Sequence, residues 1–151
     1  MATLAPARPE DVVPIAHVLE ELDHFYGGSR TEPLDEQAAQ INDALFGKIP
    51  AAYALLAWDD EKLAGLATYS FLWPAAGLTR SLYLKELYVV ETYQRSGIGK
   101  QLMDELHNIA AAHRCSRVEW TTDAPNSGAQ NFYAKIGVPP EASKIFYRST
   151  L

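Results

Sequence analysis

Residues 94–102 read QRSGIGKQL, and the fold turns on what lies either side of them. From Gly97 onward Leu102, Met103, Leu106, Ile109 and Ala110 recur at three- and four-residue spacing, which predicts an amphipathic helix running to about His113. A glycine-rich turn that opens a helix leaves backbone N–H groups pointing outward at the positive end of the helix dipole, a ready site for phosphate. Two familiar phosphate motifs do not fit. The Walker A pattern finds Gly99-Lys100, but Gln94 stands where its first glycine belongs and Gln101 follows the lysine. The dinucleotide fingerprint finds Gly97 and Gly99, but Leu102 takes the third glycine's place and the flanking elements do not repeat as β-α-β units.

Upstream, SLYLKELYVV (residues 81–90) predicts a strand. Its alternation puts Leu82, Leu84, Glu86, Tyr88 and Val90 on one face, with Tyr83, Lys85, Leu87 and Val89 on the other. Both faces are largely apolar, as in a strand covered on both sides. Before it, residues 51–73 form two apolar, strand-like runs about the polar connection Asp59-Asp60-Glu61-Lys62, most simply an antiparallel hairpin. The N-terminal TLAPARPEDV reads as a short strand closed by proline. A helix follows with Val13, Ile15, Val18, Leu19 and Leu22 at helical spacing, ended by Gly27 and Gly28. A second helix is expected over Leu34 to Phe46, with Ala38, Ile41, Ala44 and Leu45 on one side and Gly47 beyond.

Downstream, SRVEWTT is a further strand, and a last helix from about Asn126 to Lys135 is stopped by Gly137 and Pro139-Pro140. KIFYRST (residues 144–150) is expected to close the chain as a strand. The order β-α-α-β-β-β-α-β-α-β describes a mixed α/β domain, a central, mostly antiparallel sheet flanked by helices, with residues 1–151 as one domain.

Composition narrows the function classes. At 151 residues the chain can bury a core without disulfides or metals. Thirteen basic against nineteen acidic residues give a net charge of -6, with no basic footprint to hold a nucleic-acid backbone. Cys115, the single cysteine, has no partner for an internal disulfide. With no charged-then-apolar leader and no apolar run near the roughly 20 residues of a membrane span, a cytoplasmic protein is expected. His17, His24, His107 and His113 show no ligand spacing, so no metal is predicted.

The pattern that does match is Gln/Arg-x-x-Gly-x-Gly, here Gln94 to Gly99, and with it the chain resembles the GNAT N-acetyltransferase family. NSGAQNFYAKIG (residues 126–137) resembles the family's second signature, Asn-x-x-Ala-x-x-Phe-Tyr-x-Lys-x-Gly. LYLKELYV and APNSGAQNFY are similar to the diamine branch, the polyamine and thialysine acetyltransferases. Where that branch has an acidic pair after Leu-Tyr-Leu, this chain has Lys85-Glu86, so only the second carboxylate is present.

The resemblance implies acetyl-CoA as cofactor and a direct transfer of its acetyl group to an amine, with a homodimer as the expected assembly. Gln94, Arg95, Ser96, Gly97, Ile98, Gly99 and Lys100 would wrap the pyrophosphate, while Leu87, Tyr88 and Val89 would offer backbone groups to the pantetheine arm. Asn126 would cap the last helix or bond the cofactor arm, and Lys135 would lie near an adenosine phosphate. Glu86 is the expected general base, directly or through a water, where partial desolvation suits a carboxylate to that work; a surface carboxylate paired with a nearby lysine or arginine is its alternative. Tyr133 is the expected general acid beside the departing sulfur; a packing role in the Phe132-Tyr133 pair is its alternative. In EELDHFYGG, Glu20, Glu21 and Asp23 would attract a cationic amine and Phe25 and Tyr26 would wall the site, or the acids form a solvated face. Trp73 would line the acceptor site or pack. A peptide or protein acceptor, and a CoA-binding sensor that has lost transfer, are the alternatives to a small-molecule amine.

Overall fold

The computed structural model describes residues 2–151. The chain forms two compact units, through Trp120 and from Thr121 to Leu151. In the first, strands β1 (Thr3–Pro6), β2 (Tyr53–Asp59), β3 (Lys62–Leu72), β4 (Arg80–Val89) and β5 (Cys115–Glu119) lie side by side in that order. All neighbours are antiparallel except β4 and β5, which run parallel and are joined through helix α3 (Ile98–Ala112). Helices α1 (Val12–Phe25) and α2 (Leu34–Phe46) stand between β1 and β2, as the spacing predicts.

Strand pairing assigns each face. Ala54, Leu56, Leu66 and Tyr88 join Ile15, Ala16, Val18, Leu22 and Ile41 in one buried cluster under α1 and α2. The opposite face meets α3, whose Leu102, Met103, Leu106 and Ala110 are buried. Burying each such large side chain contributes about 1.5–3 kcal/mol. Val13, placed by periodicity on the apolar side of α1, is instead 41% exposed, because Ile15, Ala16, Val18 and Leu22 already fill the stripe that meets the sheet.

Strict alternation fails in β4. Leu84 pairs with Tyr69 while Glu86 pairs with Thr68, adjacent residues on β3, so Lys85 is the extra residue of a β-bulge. The insertion reverses the alternation beyond it. Glu86 and Tyr88 therefore face α1, whereas Leu82 and Leu84 lie on the α3 side with Leu87 and Val89; the single face expected for Leu82 through Val90 does not exist. Lys85 is exposed and Glu86 half-buried.

The second unit holds helix α4 (Ser127–Lys135). Its start is capped by Asn126, whose side-chain oxygen accepts from the Ala129 N–H at 3.0 Å. Its end is a Schellman turn at Gly137, φ 86°, with Val138 N–H donating to the Tyr133 carbonyl and Gly137 N–H to that of Ala134. The strand expected over residues 144–150 is absent: the segment joins no ladder among the described residues. Ile145, Phe146 and Tyr147 are 76%, 61% and 84% exposed. A β-rich composition states only that a segment fits a sheet; without a partner strand its backbone has nothing to pair with.

One glycine decides how closely α3 seats on the sheet. A Cβ on Gly65 of β3 would lie 3.0 Å from the Tyr88 carbonyl oxygen and 3.3 Å from Cγ2 of Ile98, the first residue of α3. Gly65→Val should lower the unfolding free energy by about 1–3 kcal/mol through overpacking, read by urea denaturation. A wild-type midpoint would show that α3 can move away from the strand at no cost.

Candidate active site

The end of β4 and the start of α3 build the site. Ladder pairing with β5 covers Arg80 to Tyr83 only; from Leu84 to Val89 the strand is paired on its β3 side alone among the described residues. The ladder stops there because β5 itself ends at Glu119. Leu87, Tyr88 and Val89 lie on that stretch.

Beyond Val89 a single 3-10 turn, Glu91–Tyr93, leads into the glycine turn. Arg95 has φ 63° and Gly97, the N-cap of α3, φ 89°. Left-handed residues flanking Ser96 curl successive N–H groups toward a common concavity, and the first amides of α3, at Ile98, Gly99 and Lys100, have no carbonyl one turn back. A turn of this shape at a helix start is one that can hold an anion. Ile98 is buried against the sheet and anchors the helix start, while Gln94 to Gly97 are exposed. Lys100 shares its charge with Asp104 at 2.8 Å, one helical turn on. The Gln94 amide is committed to the Val89 carbonyl at 3.0 Å, and the Ser96 hydroxyl donates to the Tyr93 carbonyl.

On the α1 face beside this turn, one carboxylate organises several groups. Glu21 Oε2 accepts from the Tyr88 hydroxyl at 2.5 Å and from the Glu91 backbone N–H at 3.2 Å. The Phe25 ring lies 6.5 Å from that of Tyr88 and 5.2 Å, edge-on, from that of Tyr26. Phe25 and Tyr26 are 60% and 54% exposed, so the group is a wall open to solvent. Asp23, in contrast, is paired with Arg30 at 2.6 Å, which neutralises one of the acids expected to attract an amine.

The structure thus brings Glu21, Phe25, Tyr26, Glu86 and Tyr88 to one face of the sheet. It does not bring Trp73 there. Trp73 follows Leu72, which pairs with Ser81 at the beginning of β4, about 25 Å along the strand from Val89 at 3.3 Å per residue. Its indole N–H closes on the Leu78 carbonyl of its own loop at 3.0 Å. In the second unit Asn126 takes up the capping role and Tyr133 lies half-buried on α4, its ring edge-on to Phe132 at 5.3 Å; Lys135 is exposed. Sequence reasoning missed Asp59, whose carboxylate accepts from the Tyr93 hydroxyl at 2.8 Å and ties the end of β2 to the turn. No local pattern marks such a pair, because its members lie 34 residues apart.

Burial first, then the hydrogen bond and charge of Glu21 and the charge of Glu91, push the Tyr88 phenol well above its ordinary 10.0. The folded chain then holds this proton more tightly than the unfolded chain does. The associated stability is fully present below about pH 10 and is lost as pH rises beyond it. Urea unfolding between pH 9 and 11 should show stability falling more steeply for the native chain than for Tyr88→Phe; equal slopes would remove Tyr88 from the titration.

The Acetyltransferase (GNAT) family matches residues 15–138 of the chain, spanning α1 through the end of α4. Thialysine N-epsilon-acetyltransferase of Mus musculus is 25% identical over 139 residues, covering 87% of this chain and 80% of that protein. Spermidine/spermine N(1)-acetyltransferase-like protein 1 of Homo sapiens is 30% identical over 113 residues, 70% of this chain but only 16% of that much longer protein. Among solved structures, an integron cassette protein from the mobile metagenome of V. cholerae is similar with a TM-score of 0.90 at 28% identity, over 99% of this chain and 92% of that one. The glycine turn that leads from β4 into α3 lies within the matched residues, the matched family uses acetyl-CoA, and this chain belongs to it: it is a GNAT N-acetyltransferase.

Proposed function

We propose that the chain moves the acetyl group of acetyl-CoA to a primary amine of a small molecule by direct attack, with no acyl-enzyme. The observation that carries this reading is the bulge at Lys85, which turns Glu86 toward α1, on the face that also holds Glu21, Phe25, Tyr26 and Tyr88. A carboxylate and an aromatic wall on one open face suit a cationic amine. Thialysine and spermidine, for which the two relatives are named, both carry primary amines.

An alkyl ammonium with a pKa near 10.4 is mostly protonated at neutral pH, and presenting it as the free amine costs roughly 4–5 kcal/mol at pH 7. We assign the proton to Glu86, taken directly or through one water. The free amine would then attack the thioester carbonyl, the C–S bond would break as the tetrahedral intermediate expels the coenzyme A thiolate, and the extra proton on the newly bonded nitrogen would pass to solvent water. Tyr133 is assigned the proton that this sulfur receives, since a phenol of ordinary pKa about 10 keeps its proton at pH 7. The cradle of Arg95 to Gly99 would hold the diphosphate, Leu87 to Val89 the pantetheine arm, and Asn126 and Lys135 more distal parts of the cofactor. Most of the acceleration would then come from holding thioester and amine in line.

The two compact units would act as one N-acetyltransferase domain. A homodimer is proposed with it, supported by the exposed apolar side chains of the consecutive residues Ile145, Phe146 and Tyr147. Light scattering should return twice the chain mass, and a monomer at micromolar concentration would refute the assembly.

Turnover is tested by thiol release from acetyl-CoA with a panel of diamines, amino acids, aminoglycosides and peptides. Small amines should be acetylated. Activity confined to peptides would move the acceptor to protein, and tight CoA binding with no acceptor would make the chain a sensor. Tyr133→Phe and Glu86→Gln should each lower kcat by about 10²–10⁴-fold, the usual worth of general acid–base catalysis, with CoA affinity nearly unchanged. Undiminished kcat in either variant removes that residue from proton transfer.

A further inference from the structure

The turn between β4 and α3 is exposed at Glu91, Thr92 and Gln94 to Gly97, yet it is braced from two sides by side chains that the transfer chemistry does not use. We infer that the pairs Glu21–Tyr88 and Asp59–Tyr93 are positioning elements for the cofactor, fixing the turn's N–H groups before the diphosphate arrives. This rests on the reading that the turn holds the diphosphate of acetyl-CoA.

On the β2 side, Asp59 Oδ2 accepts from the Tyr93 hydroxyl at 2.8 Å, and the carbonyl of the same Tyr93 accepts from the Ser96 hydroxyl. A continuous path of bonds therefore runs from the last residue of β2 into the middle of the glycine turn. On the α1 side, Glu21 holds the Tyr88 side chain and the Glu91 main chain with a single oxygen. The two braces meet the turn at its first and last 3-10 residues, Glu91 and Tyr93. Both set a tyrosine hydroxyl on a side-chain carboxyl oxygen, at 2.5 and 2.8 Å.

Such bracing answers a specific problem. Arg95 holds a left-handed φ of 63° without being glycine, a conformation that costs roughly 1–2 kcal/mol. An unbraced turn would relax out of it. N–H groups already fixed in place lose little freedom when an anion binds, so the braces act on cofactor affinity and leave the chemical step alone. Glu21 adds a second consequence, because it sits on the helix that bears Phe25 and Tyr26: the amine-side wall and the cofactor turn share one carboxylate.

The test measures coenzyme A affinity of the full chain by calorimetry. Tyr93→Phe and Asp59→Ala should each weaken binding on the order of tenfold, and the double variant should be no weaker than either, since both break one bond. Glu21→Ala should weaken binding similarly, while Glu21→Gln, which keeps an acceptor for Tyr88, stays within about twofold of the native chain. In Tyr93→Phe the KM for acetyl-CoA should rise with kcat and the amine KM unchanged. Amides 95–100 of the unliganded variant should exchange faster without a fall in Tm, a signature that general destabilisation does not produce. Native affinity in Tyr93→Phe and Glu21→Ala, or additive losses in the double variant, would overturn the positioning role while leaving the cofactor reading intact. Failure of the native chain to bind coenzyme A would overturn both, whatever the exchange rates.

Discussion

A helix cannot satisfy the N–H groups of its own first turn, and everything at this site depends on where α3 spends that deficit. The helix starts at Ile98, directly after a left-handed glycine, and Ile98 is buried against Gly65 of the sheet. The turn is thus fastened to the sheet through buried Ile98 although Gln94 to Gly97 are exposed. An anion held there is held by backbone, so the contribution of Arg95 and Lys100 as charges is secondary; Lys100 already shares its charge with Asp104.

The second constraint is the bulge at Lys85. Without it, Glu86 would share a face with Leu84, Leu87 and Val89 would exchange faces with Tyr88, and the carboxylate would point toward the apolar side of α3. One extra residue keeps Leu82 and Leu84 in the α3 core and still delivers Glu86 to the opposite face. The departure from the acidic pair of the diamine branch gains a physical meaning here. Lys85 occupies the bulge and is exposed, so the change places a cation beside the remaining carboxylate where that branch has a second anion.

Most of the first unit was legible from periodicity. Leu34–Phe46 forms the second helix over the range its spacing predicts, and the hairpin about Asp59–Lys62 is where the polar connection puts it. These are local signals, and the residues that fill the core are the ones that repeat. The bulge was not legible, because the period-2 pattern of SLYLKELYVV is equally well formed with and without an insertion; only the register against Thr68 and Tyr69 decides. KIFYRST shows the same limit from the other side, since strand-like residues specify a sheet only where a partner exists. At the site, the glycine turn was readable and the braces were not. Glu21 and Tyr88 are 67 residues apart and Asp59 and Tyr93 are 34 apart, and each side chain alone reads as an ordinary surface acid or a core aromatic.

These separations bear on how such an enzyme changes acceptor while keeping its donor. Under the proposed function the cofactor side would use main-chain groups of β4 and α3, which tolerate side-chain replacement so long as Gly65 and Gly97 keep their geometry. The amine side would use side chains, and of these Phe25 and Tyr26, at the exposed end of α1, can be exchanged without touching the core. Glu21 is the exception, because it belongs to α1 and yet holds the entry to the cofactor turn. Under that reading substitutions at Phe25 or Tyr26 would alter which amine is accepted at little cost to acetyl-CoA, whereas loss of the Glu21 carboxyl group would alter both sides together. Of the acids on α1, it is Glu21 that bonds both to β4, at Tyr88, and to the turn that follows it, at Glu91, so under the proposed function it is the one that would couple donor and acceptor specificity.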